Sequence, residues 1–166
     1  MAGESTYSLK LGDFGTFVIF TAIYAASTLG LPRIPFLAYQ IKIGEIPTAF
    51  VAMFGLPAVL GLTLGQFIAD LGVQASPIGM VSPIVSLVGL YVVYLLRKSS
   101  TLGGCVFYIM ITSLWLTFLL PILSGISTTA AATSAFVDQT IAVAIGYCVY
   151  VIVRDTMFTQ PTSPSS

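Results

Sequence analysis

Charged side chains are absent from residues 14–32, 46–69, 71–96, 99–137 and 139–153 of this chain. No other feature constrains the fold so tightly. A helix rises about 1.5 Å per residue, and roughly 20 apolar residues cross a bilayer core of about 30 Å. The first three tracts each hold one such crossing, or two short ones. The fourth holds one crossing, roughly Leu102 to Leu123, and then a polar hairpin, Ser124 to Ser134, rich in Ser, Thr, Gly and Ala. The fifth gives a final helix from near Phe136 to near Arg154. The spacing predicts an all-α membrane protein. Residues 1–155 form one helical transmembrane domain, and 156–166 form a disordered polar tail.

The number of crossings turns on the second tract. Pro47 stands near its start, and Gly55-Leu-Pro57 interrupts its middle. Glycine adds backbone freedom there, while proline removes a donor and clashes with the preceding turn. A single kinked helix gives five spans; two short helices meeting in a tight turn give six. With six, Lys10, Arg97, Lys98 and Arg154 share one side of the membrane, and Arg33 and Lys42 the other. Cationic loops favour the cytoplasm, so both termini are expected there, in the cell membrane.

The surrounding medium must be lipid. Only 7% of the residues are charged and 57% are hydrophobic, whereas a soluble domain is about a quarter charged. A formal net charge of zero excludes a strongly basic nucleic-acid binder. The chain has no histidine, which removes the commonest general base and metal ligand. No phosphate-binding loop and no Cys cluster is present, and a Ser-His triad is impossible. Cys105 and Cys148 both lie in apolar runs and are expected to pack as small hydrophobes. No catalysis, cofactor or metal is expected.

The six-span arrangement gathers Arg33, Lys42, Glu45, Asp70 and Asp138 at the outer ends of helices. Charges near the membrane are costly, so they tend to be paired or functional. Leu31 to Glu45 carries Arg33, Tyr39, Gln40, Lys42 and Glu45. It is either a solvated loop or a gate over a polar pocket. Glu45 opens an apolar helix, where a carboxylate also complements the helix dipole. Gln66 and Asp70, four apart, share a helix face; they mark the membrane surface or present an amide and a carboxylate to a ligand. Thr21, Ala22, Ala25 and Ala26 form a small-residue stripe on the first helix, suited to close packing or to docking another membrane protein. Tyr108 and Trp115, seven apart, share a face of the fifth helix. Tyr91 and Tyr94 suit an interfacial aromatic belt.

The stretch from Tyr39-Gln-Ile-Lys-Ile-Gly-Glu45 through Gly55-Leu-Pro57 to Gly65-Gln-Phe-Ile-Ala-Asp70, then Ser76-Pro-Ile-Gly-Met80 and Tyr94-Leu-Leu-Arg-Lys98, resembles the S components of energy-coupling factor transporters, the QueT family in particular. The resemblance covers roughly Ala22 to Lys98. It implies a six-helix, micronutrient-binding subunit that associates with a membrane T component and two cytoplasmic ATPases. Ala22-x-x-x-Ala26 stands where that family's small-xxx-small docking motif would. The cargo it implies is a 7-deazaguanine precursor of queuosine, whose N–H donors Glu45 or Asp70 could accept. Glu45, Asp70 and Gln66 are then the expected ligand contacts, with Arg33, Tyr39, Lys42 and Asp138 around them. A different class of protein fits the composition too: a non-catalytic subunit of a larger membrane complex, such as a respiratory or oxidase assembly, whose partners would be other integral membrane subunits.

Overall fold

The computed structural model describes residues 9–30, 34–36, 39–72 and 76–158, with side chains given for 12–30, 42–72 and 76–156. Helix α1 spans Leu9–Gly30. A two-stranded antiparallel hairpin follows, β1 (Ile34–Phe36) against β2 (Tyr39–Ile41), in the register Ile34 to Ile41 and Phe36 to Tyr39. A 3-10 helix, Ile43–Phe50, runs directly into the one-turn α2, Val51–Phe54. Then come α3 (Leu56–Gly72), α4 (Ser82–Leu96, preceded by a 3-10 turn at Gly79–Val81), α5 (Thr101–Ser124) and α6 (Thr128–Phe158). The hairpin is the only departure from an all-α membrane architecture among the described residues.

The second tract is two segments. Gly55 has φ +72°, a left-handed conformation that glycine adopts without penalty, and it separates α2 from α3. The packing levels show that the chain reverses there. Gly61 lies against Phe17 and Phe20, Gly65 against Thr21 and Tyr24, and Gly72 against Leu29, so α1 and α3 run parallel. Gly44 meets Tyr24 and Thr28, while Phe54 packs on Phe20. The segment Ile43–Phe54 therefore descends alongside them. Gly104 on Val93 and Gly89 on Tyr108 set α4 antiparallel to α5. The pairs Ser113–Ala135 and Thr101–Tyr150 do the same for α5 and α6. Six helical segments result.

Among the described residues, four helices are long and apolar enough to cross a membrane: Gly12–Gly30, Gly79–Leu96, Thr101–Ser124 and Thr128–Thr156. Ile43–Phe54 and Leu56–Gly72 are shorter. The tighter 3-10 rise of about 2.0 Å per residue stretches Ile43–Phe54 to about 22 Å, and α3 reaches about 26 Å. The 3-10 form has a local cause. In an α-helix the Pro47 ring would collide with the carbonyl four residues back and would leave no donor for it.

Two boundaries differ from the sequence expectation. The polar hairpin shrinks to residues 125–127, and α6 begins at Thr128, not near Phe136. Gly125 takes φ +68° and closes α5. The Ser127 hydroxyl then accepts the Ala130 amide at 3.3 Å, a helix N-cap. Thr128 to Ala132 includes three alanines, the strongest helix formers. Asp138 consequently sits almost three turns inside α6, not at a helix end. At the other end α6 continues through Phe158, three residues into the stretch expected as a tail; 159–166 lie outside the described residues. Cys105 is buried, but Cys148 is exposed. It stands two residues from the buried Gly146, on the far side of the helix.

Glycines on α3, not the small residues of α1, bring these two helices together. A Cβ at Gly65 would lie 2.7 Å from the Thr21 carbonyl oxygen, and one at Gly61 2.6 Å from that of Phe17. Backbone oxygens cannot rotate away. Gly65→Ala is expected to lower the melting temperature in detergent markedly, while Gly12→Ala, with nothing within 4 Å, leaves it unchanged; thermal unfolding of the purified chain checks both.

Candidate functional site

The 3-10 helix carries the most polar part of the interior. Glu45 occupies its first turn and is 2% exposed. Tyr24 of α1 donates its phenolic hydrogen to Glu45 Oε1 at 2.9 Å, and Tyr108 of α5 donates to Oε2. The hydroxyls of Thr48 and Ser86 lie beside the Tyr108 phenol, and both residues are buried. A carboxylate taken out of water demands strong donors. Two phenols supply one to each oxygen. An ionised carboxylate offers about four acceptor positions, so Glu45 keeps capacity for a further donor on each oxygen.

The backbone geometry around Glu45 is set from two sides. Gly44 lets the 3-10 helix close on α1: a Cβ there would lie 2.7 Å from Thr28 Oγ1. Gly146 lets it close on α6: a Cβ there would fall 1.8 Å from the Ile46 carbonyl oxygen. Just before the helix, the Lys42 amide donates to Asp138 Oδ1 at 2.8 Å. That bond ties the exit of the hairpin to α6 across 96 positions of sequence.

Asp70 stands near the end of α3, close enough to Lys42 and Glu45 for their charges to act on it. Its Oδ2 is buried and has no hydrogen-bond partner among the described residues. Gln66, one turn earlier, is buried on the same face. Lys42 itself is exposed. Of the residues singled out in the sequence, Glu45, Asp70, Gln66, Asp138 and the Lys42 backbone thus surround the hairpin end of the bundle. Tyr39 lies in β2, where only the backbone is described. Arg33 lies outside the described residues.

Sequence reasoning missed Tyr24 and Tyr108 as partners of Glu45. Nothing in their spacing links positions 24, 45 and 108. A weak signal existed at Tyr108, an aromatic with a hydroxyl amid an apolar run. It also missed Gln139, buried next to Asp138.

The small-residue stripe splits into two faces. Thr21 and Ala25 turn partly inward, and Thr21 meets Gly65. Ala22 and Ala26 are exposed, flanked by exposed Val18, Ile19, Ile23 and Leu29. Tyr24, between them in sequence, is buried on the opposite side. At the other end of the bundle, Tyr91 stacks on Tyr94 with centroids 5.9 Å apart, and the Arg97 guanidinium lies 4.1 Å above the Tyr94 ring. Arg97 and Tyr94 of this cluster lie against the Gly55 turn.

A separate groove of about 290 Å³ runs between α4 and α5, lined by Ile84, Val88, Leu114 and Phe118 among others. Its one polar lining group, the Trp115 Nε1–H, already donates to Ser82 Oγ at 2.9 Å. The groove offers nothing to orient a polar ligand. Among the described residues, no group of His, Cys, Asp and Glu could hold a metal ion.

The model of one protein family, described as QueT transporter, matches residues 16–155. The chain belongs to the QueT transporter family. No curated protein and no solved structure gave a match. The family is one of transporters, and the matched region runs from Thr16 in α1 to Asp155 near the end of α6, so it reaches all six helical segments described. Multi-pass membrane insertion and transport follow from the two observations together. The match favours transport over a scaffolding subunit of a respiratory or oxidase assembly.

Proposed function

We propose that this QueT family member is the substrate-binding S component of an energy-coupling factor transporter, and that it captures a 7-deazaguanine precursor of queuosine. The supporting observation is the family match over residues 16–155, joined to a buried acidic centre at one end of the bundle. The ligand's N–H edge meets Glu45 and Asp70, with Gln66 beside them. Charge-assisted hydrogen bonds of this kind are strong where water is scarce. Phenols on Glu45 hold its carboxylate in place before the ligand arrives, so little ordering is needed on binding. Asp138 holds the Lys42 amide beside the site, and Arg33, Tyr39 and Lys42 complete the proposed set of contacts.

The hairpin end faces outward and both termini face the cytoplasm of the cell membrane, in keeping with Lys10, Arg97, Lys98 and Arg154 at the opposite end. The chain has no catalytic role. Ala22 and Ala26 dock on a membrane T component, and two cytoplasmic ATPases supply the energy. Lipid covers the rest of the surface.

Binding of 7-deazaguanine to the detergent-purified chain tests the ligand, with adenine as control. Adenine presents an acceptor where the guanine edge presents N1–H. Saturable binding of 7-deazaguanine, with adenine at least tenfold weaker, is expected. Equal affinity for both, or none, overturns the assignment of Glu45 and Asp70. For the docking face, Ala22→Trp with Ala26→Trp is expected to leave binding intact and to remove co-purifying partners, because a large ring keeps the helices from close approach. Undiminished partner recovery places the docking surface elsewhere.

A further inference from the structure

We infer that Gln139 is a ligand-contacting residue of the same site, its amide oxygen accepting an N–H of the bound base; this rests on the transporter reading above. Gln139 is 1% exposed, yet its Oε1 has no hydrogen-bond partner among the described residues. A buried, unpaired amide oxygen is destabilising, and native interiors rarely keep one without a use. Its position supplies the use. The preceding residue, Asp138, holds the Lys42 amide. Seven residues on, and so on the same face of α6, Gly146 lies against the carbonyl of Ile46, the neighbour of Glu45. Gln139 therefore sits on the face of α6 that packs on the 3-10 helix, about 10 Å toward the hairpin from that contact.

The buried hydroxyls of the neighbouring α5 do not fill the gap. Thr112 and Thr117 donate to carbonyls of their own helix, and Ser113 donates to the Ala135 carbonyl. Each hydroxyl hydrogen is thus committed elsewhere. Asp70 Oδ2 is likewise buried and unpaired. Two orphan acceptors on two different helices, α3 and α6, lie at the end of the bundle that holds Glu45. A ligand rich in N–H donors satisfies both.

The test separates a binding role from a structural one by the sign of two readouts. Replacing an orphaned polar group with an apolar one of similar shape removes a desolvation penalty. Gln139→Met and Gln139→Leu are therefore expected to melt at or above the temperature of the unsubstituted chain when ligand-free. They are expected to bind 7-deazaguanine about tenfold more weakly in calorimetric titration of the full chain in detergent. Unchanged affinity in a folded variant, as when the oxygen merely holds a buried water, overturns the inference and leaves the transporter reading standing. Failure of both variants to fold also overturns it, since the amide would then be holding helices together. Absence of binding by the unsubstituted chain removes the reading and the inference with it.

Discussion

Gly146→Ala is expected to unfold the part of the bundle around the 3-10 helix or to leave a chain that no longer binds ligand. The added Cβ would lie 1.8 Å from the Ile46 carbonyl oxygen and 2.8 Å from its carbon. Close carbon–oxygen contacts stop at about 3.3 Å, so the 3-10 helix must retreat from α6 by about 1.5 Å. Nothing at the contact can swivel, because both sides are backbone. Overpacking of this sort costs about 1–3 kcal/mol when side chains can adjust, and more is expected here. Retreat also carries Glu45 away from Tyr24 and Tyr108. Melting temperature and 7-deazaguanine affinity of the purified variant should both fall sharply, with Gly12→Ala as the unaffected control. A variant with native values for both would mean that the 3-10 helix does not lie on α6 as described.

Glu45 carries the second large effect. Glu45→Leu leaves the buried Tyr24 hydroxyl with no acceptor and takes from Tyr108 its carboxylate partner, and an orphaned hydroxyl costs about 1–3 kcal/mol. The single substitution should therefore lower stability and abolish binding together, and those two losses could be confused. The triple variant Tyr24→Phe, Glu45→Leu, Tyr108→Phe separates them. It removes donors and acceptor at once, which is nearly neutral for stability. Its melting temperature is expected to return close to that of the unsubstituted chain while binding stays absent. Recovery of binding along with stability would show that Glu45 serves the fold alone.

Much of the architecture was legible because charge is intolerable in lipid. Uncharged tracts mark the helices, and Gly55-Leu-Pro57 marks a break that the left-handed Gly55 turns into a reversal. The start of α6 lies earlier than the Ser, Thr, Gly and Ala content of 124–134 predicts, because the Ser127 cap lets the alanines behind it propagate a helix. The hairpin strands were invisible to a reading by helical spans, since three-residue strands carry almost no periodicity. Among the candidate residues, Glu45, Asp70 and Gln66 stand out because polar groups in apolar runs are rare. Their partners did not. The Tyr24–Glu45–Tyr108 contact joins three helical elements, and no local pattern encodes it. The small-residue stripe on α1 presents two surfaces, because helix geometry splits it: Thr21 packs against Gly65, and Ala22 and Ala26 face outward. Gly61-x-x-x-Gly65 carried the same small-residue signal on α3, and that pair makes the internal contact.

The two faces of α1 join the proposed roles in one element. Tyr24 reaches the acidic centre from the inner face, two residues from Ala22 and from Ala26 on the outer one. The docking role of that outer face is the part of the proposal that reaches beyond this chain. Purification of the tagged chain from its own host in mild detergent, followed by mass spectrometry of what accompanies it, tests it most directly. Recovery of a membrane T component and two ATPases is expected. Recovery of oxidoreductase subunits in their place would contradict the transporter assignment and recast Glu45 and Asp70 as groups that serve a scaffold.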